Sequence, residues 1–328
     1  MGGAPLSTQA DISPKGRKRR GERWESDDRK PKITVLRAAV ISTRQPAGRN
    51  DNYIFNMAIS NEKQETPLKS SPNVEFHGVN QQNIMKHKQH LSTKSYFINR
   101  FGKLSTSFMF YQMQEIAWEH ANLLGFGYNQ LKEKNQFWVL SRLQVKIDRR
   151  PSWTEDFTLE TWSRGTDGFF GYRDYNFTDE KGNSIIQAAS SWLILDTASK
   201  RIVRLTDFEE FPEYNESVFG TNAPKVKSPK SDEPLNFTPV RFNEIDINQH
   251  FNTGRYLERI IDNYSFSFHE KNELVEFEVN FLKEGMPTDR LAVKKQEIDA
   301  STHLCSVVRE SDGVELIRAK LVWQERGV

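Results

Sequence analysis

Hydrophobic and polar residues alternate in a regular way from about residue 95 to the end of the chain, with turn residues between the apolar runs. Residues 104–124 place Phe110, Met113 and Ala117 at the spacing of one helix face, which predicts an amphipathic helix. A hydroxyl residue at 105 or 106 can cap its start, and Gly125 can end it. Period-two alternation then predicts strands at 137–148, 156–164, 168–178, 185–196 and 200–205.

The same order of elements returns after a polar interval. Residues 252–263 place Tyr256, Leu257 and Ile260 on one face of a second helix. A Pro- and Lys-rich stretch at 212–239 is predicted to be the linker between the two halves, 95–211 and 240–328. The later strands are predicted at 273–283, 289–299, 302–310 and 314–325.

The two halves align segment by segment, which indicates an internal duplication. Residues 143–159 align with 277–293, and 184–196 align with 314–325, at a period of about 130 residues that is too long for a solenoid. An apolar helix must bury its stripe, and a bent sheet around it does so. The pattern therefore predicts an α+β fold with two tandem curved antiparallel sheets, each wrapped around a long helix. The two sheets can join edge to edge, which removes exposed strand edges.

Residues 1–94 differ in composition from the rest of the chain. They hold 17 Lys and Arg against 9 Asp and Glu, a net charge of +8, with few apolar residues at any fixed period. Burial cannot offset the chain entropy of such a segment, so a disordered basic leader is predicted. Its KGRKRR run at 15–20 is either a solvated charge run or a targeting or nucleic-acid patch. A further hypothesis is that translation starts at Met85, so that residues 1–84 are not part of the native protein.

Bulk properties narrow the class of protein. The residues after 94 carry a net charge of −6, because the whole chain carries +2, and an acidic body does not favour nucleic-acid binding. The one cysteine, Cys305, cannot form an intrachain disulfide, so a cytoplasmic location is expected; a plastid is the alternative, disfavoured by the acids in the leader. No apolar run approaches the roughly 18 residues of a membrane span, so no membrane insertion is expected. Neither a Cys/His cluster nor a Gly-rich phosphate loop is present, so no metal or cofactor is predicted.

A polar motif opens the second helix. The segment NEIDINQHFNTGRYLE at 243–258 spaces three polar residues by two positions, followed by an asparagine and a tyrosine. These residues are Asp246, Asn248, His250, Asn252 and Tyr256. In an extended segment, period two would place the first three side chains on one face, converging on a small volume.

A second motif, NFLKEGMPTDRL at 280–291, carries Glu284. With the first motif and the duplication, it resembles the acyl-acyl carrier protein (acyl-ACP) thioesterases of plants and bacteria, the bacterial members more closely in length. The resemblance covers about 95–328. It implies a double hotdog fold, with 95–211 as the acyl-pocket half and 240–328 as the catalytic half. The plant enzymes carry a cysteine next to this glutamate, where the present chain has Gly285, so a cysteine nucleophile is not expected here.

The resemblance implies a catalytic set of Asp246, Asn248, His250 and Glu284 for thioester hydrolysis. We assign orientation and electrostatic support to Asp246, binding of the carbonyl or of water to Asn248, and proton transfer to His250 and Glu284. The start of the second helix can help to polarise the carbonyl. Asn252 is a candidate for substrate binding, although an asparagine at a helix start is more often a cap.

The first half lacks the polar motif. Arg150 stands where Glu284 would align, so one half is expected to be catalytic and the other to supply the acyl pocket. Candidate pocket walls are Trp138, Leu140, Phe169 and Phe170, although for any one of them core packing is the more common role.

The expected partner is an acyl-loaded acyl carrier protein, an acidic protein that would need a local basic patch. Homodimerisation is possible. An acyl-CoA thioesterase, a non-catalytic acyl- or carrier-binding module and, more weakly, a dehydratase are the competing functions. The basic residues considered for the patch are Lys146, Arg149, Arg150, Arg173, Arg255 and Arg259.

Overall fold

The computed structural model describes residues 85–207 and 213–327. The first half contains a long helix, a short helix and a run of antiparallel strands. Their bounds are β1 Lys86–Ser92, α1 Thr106–Leu123, α2 Tyr128–Glu133, β2 Gln136–Ile147, β3 Asp156–Thr166, β4 Gly171–Asp179, β5 Ser184–Asp196 and β6 Ile202–Val203. The second half has a similar order of elements, with a shorter first helix. Its elements are β7 Thr238–Pro239, α3 Thr253–Asp262, α4 Phe266–Lys271, β8 Asn272–Phe281, β9 Arg290–Glu297, β10 Thr302–Arg309 and β11 Glu315–Glu325.

The strands of the two halves form one continuous antiparallel sheet. Its order is β1-β3-β4-β5-β2-β8-β11-β10-β9-β7, with β6 paired to β5. The halves join where β2 pairs with β8, with Leu143 opposite Val279 and Val145 opposite Phe277. All four side chains are buried. The predicted edge-to-edge junction of two half-sheets is therefore confirmed, and the chain has the α+β double hotdog architecture.

The helix α1 supplies much of the core. Ser105 caps it, because its side chain accepts a hydrogen bond from the Phe108 amide. Met109, Phe110 and Met113 are buried on the face that the periodicity predicted. The main hydrophobic cluster draws residues from both halves, so the two hotdogs share one core.

The second helix, α3, has 10 residues and is shorter than the long helix predicted for each half. It buries Tyr256, Leu257 and Ile260 on the predicted face. A Cβ placed on Gly254 would lie 2.4 Å from the Tyr111 ring, so the start of α3 lies directly against α1 and only glycine fits there. No described helix is long and apolar enough to cross a bilayer.

The duplication is preserved in the backbone hydrogen bonds around the two helix starts. In each half, a short loop with an internal backbone hydrogen bond precedes the helix. The amide of the residue before the helix N-cap donates a hydrogen bond to the segment that follows β2 or β8. The matching bonds are Leu104 N to Pro151 O and Phe251 N to Gly285 O, Ser105 N to Phe97 O and Asn252 N to Glu244 O, and Glu155 N to Ser152 O and Asp289 N to Met286 O.

The predicted boundary of the leader at residue 94 is wrong by about nine residues. Residues 86–92 form β1, which pairs with β3 from Lys86 opposite Trp162 to Ser92 opposite Asp156. The segment KHKQHLS has little apolar character of its own. It is ordered because β3 offers it an open sheet edge. The rest of the predicted leader, residues 1–84, lies outside the described residues.

The described part of the predicted linker 212–239, residues 213–239, packs on the outer face of the sheet. Arg173 of β4 contacts α1, so its neighbour Asp174 points to the opposite, outer face. Backbone amides of the linker donate to outer-face side chains along its length, and its last residues form β7 beside β9. The contacts are Val218 N to Asp174 Oδ2 (2.8 Å), Val226 N to Asn280 Oδ1 (2.7 Å) and Lys230 N to Gln296 Oε1 (2.6 Å). The segment therefore covers the sheet as well as connecting the halves.

Asn280 on β8 holds the linker through two hydrogen bonds. It accepts from the Val226 amide and donates to the Pro224 carbonyl at 2.9 Å, in a buried position. Asn280→Ala should lower the free energy of unfolding by about 1–3 kcal/mol, because it leaves both backbone groups without a partner. Urea unfolding measures the change. Asn129→Ala, at an exposed position of α2, is the control and should change stability by less than about 0.5 kcal/mol. Equal effects of the two substitutions would contradict this role of the linker.

Candidate active site

The segment 246–250 is a tight loop and not the extended strand that the two-residue spacing suggested. Asp246 N donates to His250 O at 2.9 Å, and Gln249 N donates to Asp246 O at 3.1 Å. Gln249 takes a left-handed φ of 64°. The Asp246 carboxylate folds back on the loop and accepts from the amides of Asn248 (2.8 Å) and His250 (3.2 Å). The prediction that the Asp246, Asn248 and His250 side chains share one face is therefore wrong, because the aspartate side chain is used to close the loop.

The first half contains the same loop at 99–103. Asn99 Oδ1 accepts from the amides of Phe101 (2.9 Å) and Lys103 (3.2 Å). Gly102 holds the left-handed position there, with a φ of 67°. An amide oxygen thus makes the same two bonds in the first half that the Asp246 carboxylate makes in the second. The hydrogen bonds of Asp246 are accordingly those of a loop-shaping residue.

His250 and Glu284 face each other across two segments of the second half. His250 Nε2 lies 3.4 Å from Glu284 Oε2. The bond from Phe251 N to Gly285 O, at 2.8 Å, fixes this register, since each partner directly follows one of the two side chains. The Glu284 side chain is 43% exposed, so both substrate and water can reach the pair. An imidazole beside a carboxylate is suited to moving a proton to or from a bound ligand.

Gly285 is packed so closely that no side chain fits at this position. A Cβ there would lie 2.8 Å from the Tyr256 hydroxyl, 3.0 Å from Phe251 Cβ and 3.2 Å from Leu316 Cδ1. The Tyr256 hydroxyl is buried beside Gly285 without a hydrogen bond of ordinary geometry, and burial raises its pKa. This tyrosine and the packing around it explain in physical terms why the chain has a glycine next to Glu284.

Asn252 caps α3 and is not placed for the predicted substrate contact. Its Oδ1 accepts from the Gly254 amide at 2.9 Å, as the cap interpretation of this residue expected. Asn248, in contrast, is the residue of the loop 246–250 that lines a large cavity. The Asn248 side chain therefore faces the cavity of the first half, although the loop 246–250 belongs to the second half.

The cavity has a volume of about 400 Å³ and lies between α1, α2 and the strands β2, β4 and β5 of the first half. This is within the roughly 300–1,000 Å³ of small-molecule pockets. Seven of its 17 lining residues are aromatic. Prominent lining residues are Trp118, Phe126, Trp138, Tyr172 and Trp192, with Asn248 from the second half.

One of the four predicted pocket walls lines this cavity. Trp138 does so, and its indole donates to the Phe126 carbonyl at 3.0 Å. Leu140 lies in the main hydrophobic core instead. Phe169 and Phe170 lie at the turn between β3 and β4, against Arg204 and Arg142, and do not line the cavity.

Sequence reasoning missed the cavity residues contributed by α1, by the segment after it and by β5. Trp118 offered a signal, because it interrupts the polar face of an otherwise well-patterned helix. Trp192 offered a weaker one, as part of the alternation of β5. Arg173 gave no signal at all, since a charged residue in a strand is ordinarily expected at the surface.

The matching space in the second half is smaller and more polar. It has a volume of about 290 Å³ and is lined by Phe101 and Arg150, with Ile261, Phe266 and Trp323 from the second half. The Arg150 side chain, aligned with Glu284, is buried and donates to the carbonyls of Leu104 (3.0 Å) and Leu274 (3.1 Å). A structural arginine thus takes the place of the acid, as the predicted asymmetry between the halves required.

The predicted basic patch is not present as a surface. Arg150 and Arg173 are 5% and 7% exposed. Arg149 pairs with Glu155 at 2.6 Å, and Arg259 pairs with Glu244 at 2.6 Å. These pairs neutralise the residues locally, so they do not form a continuous cationic face. Among the described residues, no group of three or more His, Cys, Asp or Glu side chains is placed to hold a metal ion.

Together these features define a double hotdog protein with one polar loop, one acid and one apolar cavity. Two family models match the chain, the acyl-ACP thioesterase N-terminal domain over residues 84–211 and the acyl-ACP thioesterase C-terminal domain over 227–325. The chain belongs to the acyl-ACP thioesterase family.

Individual relatives are distant. The palmitoyl-acyl carrier protein thioesterase of Gossypium hirsutum is 25% identical over 267 residues, 73% of this chain and 63% of the relative. The dodecanoyl-[acyl-carrier-protein] hydrolase of Cinnamomum camphora is 25% identical over 237 residues, 65% of this chain and 61% of the relative. The chain thus spans less than two thirds of the length of these plant relatives.

Solved structures support the fold. A crystal structure of an acyl-ACP thioesterase from Bacteroides thetaiotaomicron superposes with a TM-score of 0.65 at 23% identity, covering 75% of this chain and 100% of that one. The 12:0-ACP thioesterase from Umbellularia californica gives a TM-score of 0.64 at 19% identity, with 74% and 98% covered.

The packing around Gly285 predicts that a side chain at this position destabilises the protein. Gly285→Ala should lower the free energy of unfolding by about 1–3 kcal/mol, because the new methyl group meets Tyr256, Phe251 and Leu316 at once. Tyr256→Phe in the same chain should recover part of the loss, because it removes the nearest of these atoms. Gly327→Ala, with nothing within 4 Å, is the control. A stable Gly285→Ala variant would show that the site tolerates a side chain here.

Proposed function

We propose that this chain hydrolyses the thioester of fatty acyl-ACP and releases a free fatty acid. The observation that carries the proposal is that one loop connects the cavity with the candidate proton-transfer groups. Asn248 opens onto an aromatic cavity in the first half, and the His250–Glu284 pair belongs to the same loop region of the second half. Family membership and the names of the plant relatives support the same reaction. The acyl chain would occupy the cavity, with its thioester at the loop.

The proposed chemistry uses three side chains. Glu284 accepts a proton from a water molecule as the water oxygen bonds to the thioester carbonyl carbon. The Asn248 side-chain amide and the positive end of the α3 dipole stabilise the negative charge that develops on the carbonyl oxygen. His250 delivers a proton to the sulfur as the carbon–sulfur bond breaks, so the products are a carboxylic acid and the carrier thiol. Asp246 shapes the loop that presents Asn248 and His250.

Three other functions remain alternatives. An acyl-CoA thioesterase would use the same cavity and differ only in its carrier, so one acyl chain on both carriers separates the two. A binding module would bind acyl-ACP without turnover, and the close His250–Glu284 contact argues against it. The weaker alternative, a dehydratase, would give an unsaturated product that remains on the carrier.

For the carrier, we propose a docking surface around the active-site loop that replaces the basic patch. Four large apolar side chains flank the His250–Glu284 pair along the chain. They are Phe242 and Ile247, each 93% exposed, and Leu282 and Met286. Exposed apolar side chains in one place mark an interaction site, and the exposed Arg241 and Lys283 beside them suit an acidic partner.

We propose a cytoplasmic location for the protein. The thiol of Cys305 is buried and unpaired, and burial raises its pKa to about 11, as suits a structural cysteine in a reducing compartment. The names of the plant relatives describe those proteins as chloroplastic. Imaging of the tagged full chain in its own cell decides between the two.

Substitutions in the loop test the reaction and the assigned roles. Glu284→Gln and His250→Ala should each lower kcat/KM for acyl-ACP by about a hundredfold or more, because each removes a proton-transfer group. Asp246→Asn should stay within about tenfold of the wild type, because Asn99 makes the same loop bonds with an amide oxygen. Asp246→Ala should fall much further. Equal losses in the two Asp246 variants would mean that its charge takes part in the chemistry.

Docking is tested with two substrates that share an acyl chain. Phe242→Ala and Ile247→Ala should each raise KM for acyl-ACP by about tenfold, because each removes an apolar contact with the carrier. KM for the acyl-pantetheine thioester, which lacks the carrier protein, should stay the same. Phe266→Ala, at another exposed aromatic residue on α4, is the control. Parallel changes for both substrates would place the two residues at the acyl chain instead.

A further inference from the structure

A buried arginine lines the acyl cavity. Arg173 lies on β4 with its side chain toward α1, is 7% exposed, and is one of the residues that line the 400 Å³ cavity. The same lining holds aromatic side chains such as Trp138 and Trp192. A plain hydrocarbon chain offers a guanidinium no hydrogen-bond acceptor. Burying a guanidinium costs free energy unless something accepts its hydrogen bonds.

The described partners of Arg173 leave much of its hydrogen-bonding capacity unused. One terminal nitrogen donates to His120 Nδ1 at 2.8 Å and to Thr161 Oγ1 at 3.2 Å. These two bonds account for one of the three guanidinium nitrogens, and a guanidinium has five N–H donors. No carboxylate among residues 85–207 and 213–327 forms an ion pair with it.

Arg150 provides the internal comparison. It is equally buried, yet it pairs with Glu273 at 3.4 Å and donates to two backbone carbonyls and to Thr106. Arg150 therefore has the charge and acceptors that a structural arginine needs within the protein. Arg173 has two neutral partners among the described residues and faces a cavity. The acceptor that residues 85–207 and 213–327 do not supply is one that a ligand can supply.

The position of Arg173 places it away from the thioester. The start of α3, which follows the active-site loop, contacts Tyr111 on α1. Arg173 contacts His120, nine residues further along the same helix. Nine residues of α-helix rise about 13 Å, so the guanidinium reaches the cavity several carbons down a bound acyl chain.

We propose that the cavity selects acyl chains that carry an oxygen function, a hydroxyl, oxo or carboxylate group, several carbons from the thioester, and that Arg173 binds this oxygen. The inference rests on the proposed function and narrows its substrate class. A charge-assisted hydrogen bond to a buried guanidinium is strong, and its loss leaves the charge without an acceptor. Arg173 is then a specificity-determining residue, and a plain chain of the same length leaves its donors unpaired.

A panel of acyl-ACPs, compared at matched chain length, tests this selection. The chains are unsubstituted, ω-hydroxylated or ω-carboxylated, at several lengths, and the measurement is the ratio of kcat/KM for the oxygenated over the plain chain. At the length where the oxygen reaches Arg173, the wild-type ratio should exceed the Arg173→Met ratio by at least about tenfold. Arg149→Met, at a partly exposed arginine that does not line the cavity, should keep the wild-type ratio. A ratio that is the same in the wild type and in Arg173→Met at every length would overturn the proposal.

A binding measurement on the wild-type protein covers the case in which Arg173→Met does not fold. With ¹⁵N-labelled arginine, the Arg173 side-chain resonance, assigned through Arg173→Lys, should shift with an α,ω-dicarboxylic acid and not with the monocarboxylic acid of equal length. Absence of a shift with every dicarboxylic acid would overturn the role of Arg173. Turnover of no acyl-ACP at all, together with the selective shift, would overturn the hydrolase function and leave the ligand class standing.

Discussion

The pairing of β2 with β8 is the contact on which the rest of the molecule depends. It joins the two half-sheets through buried residues such as Val145 and Phe277 and leaves neither half with an open central edge. The helices of the two halves also meet, because the start of α3, directly after the loop 246–250, lies against Tyr111 of α1. Each loop therefore faces a space built mainly by the opposite half: Asn248 lines the first-half cavity, and Phe101 lines the second.

The two halves share a backbone arrangement, and a few residue differences distinguish the candidate catalytic loop of the second half from the structural loop of the first. The loops have the same backbone bonds, and Asn99 does for one what Asp246 does for the other. Glu284 in the second half corresponds to Arg150 in the first, where the arginine ties the loop, α1 and β8 together. The second-half space is narrowed by aromatic packing of Tyr264, His303 and Trp323. One half keeps a hollow for a ligand, and the other contributes stability.

Much of the fold could be predicted because burial imposes a period on the sequence. The helix faces of α1 and α3, the strand positions and the cap at Asn252 follow from local pattern and side-chain chemistry. β1 escaped prediction because its few apolar residues gain order only from pairing with β3. The conformation of the loop 246–250 was not predicted. The left-handed backbone of Gln249 and the bond from the Asn248 amide to the Asp246 carboxylate turn the chain, so alternate side chains do not share one face. The burial of Arg150 and Arg173 depends on tertiary partners that no local pattern encodes.

The division of labour between the halves is tested most directly by a crystal structure with a non-hydrolysable acyl-pantetheine amide. The account predicts that the amide carbonyl lies beside Asn248 and the His250–Glu284 pair, and that the acyl chain runs between α1 and β4 into the first-half cavity. A chain bound instead in the second-half space beside Phe101 and Arg150 would contradict it, since the two halves would then have the opposite roles.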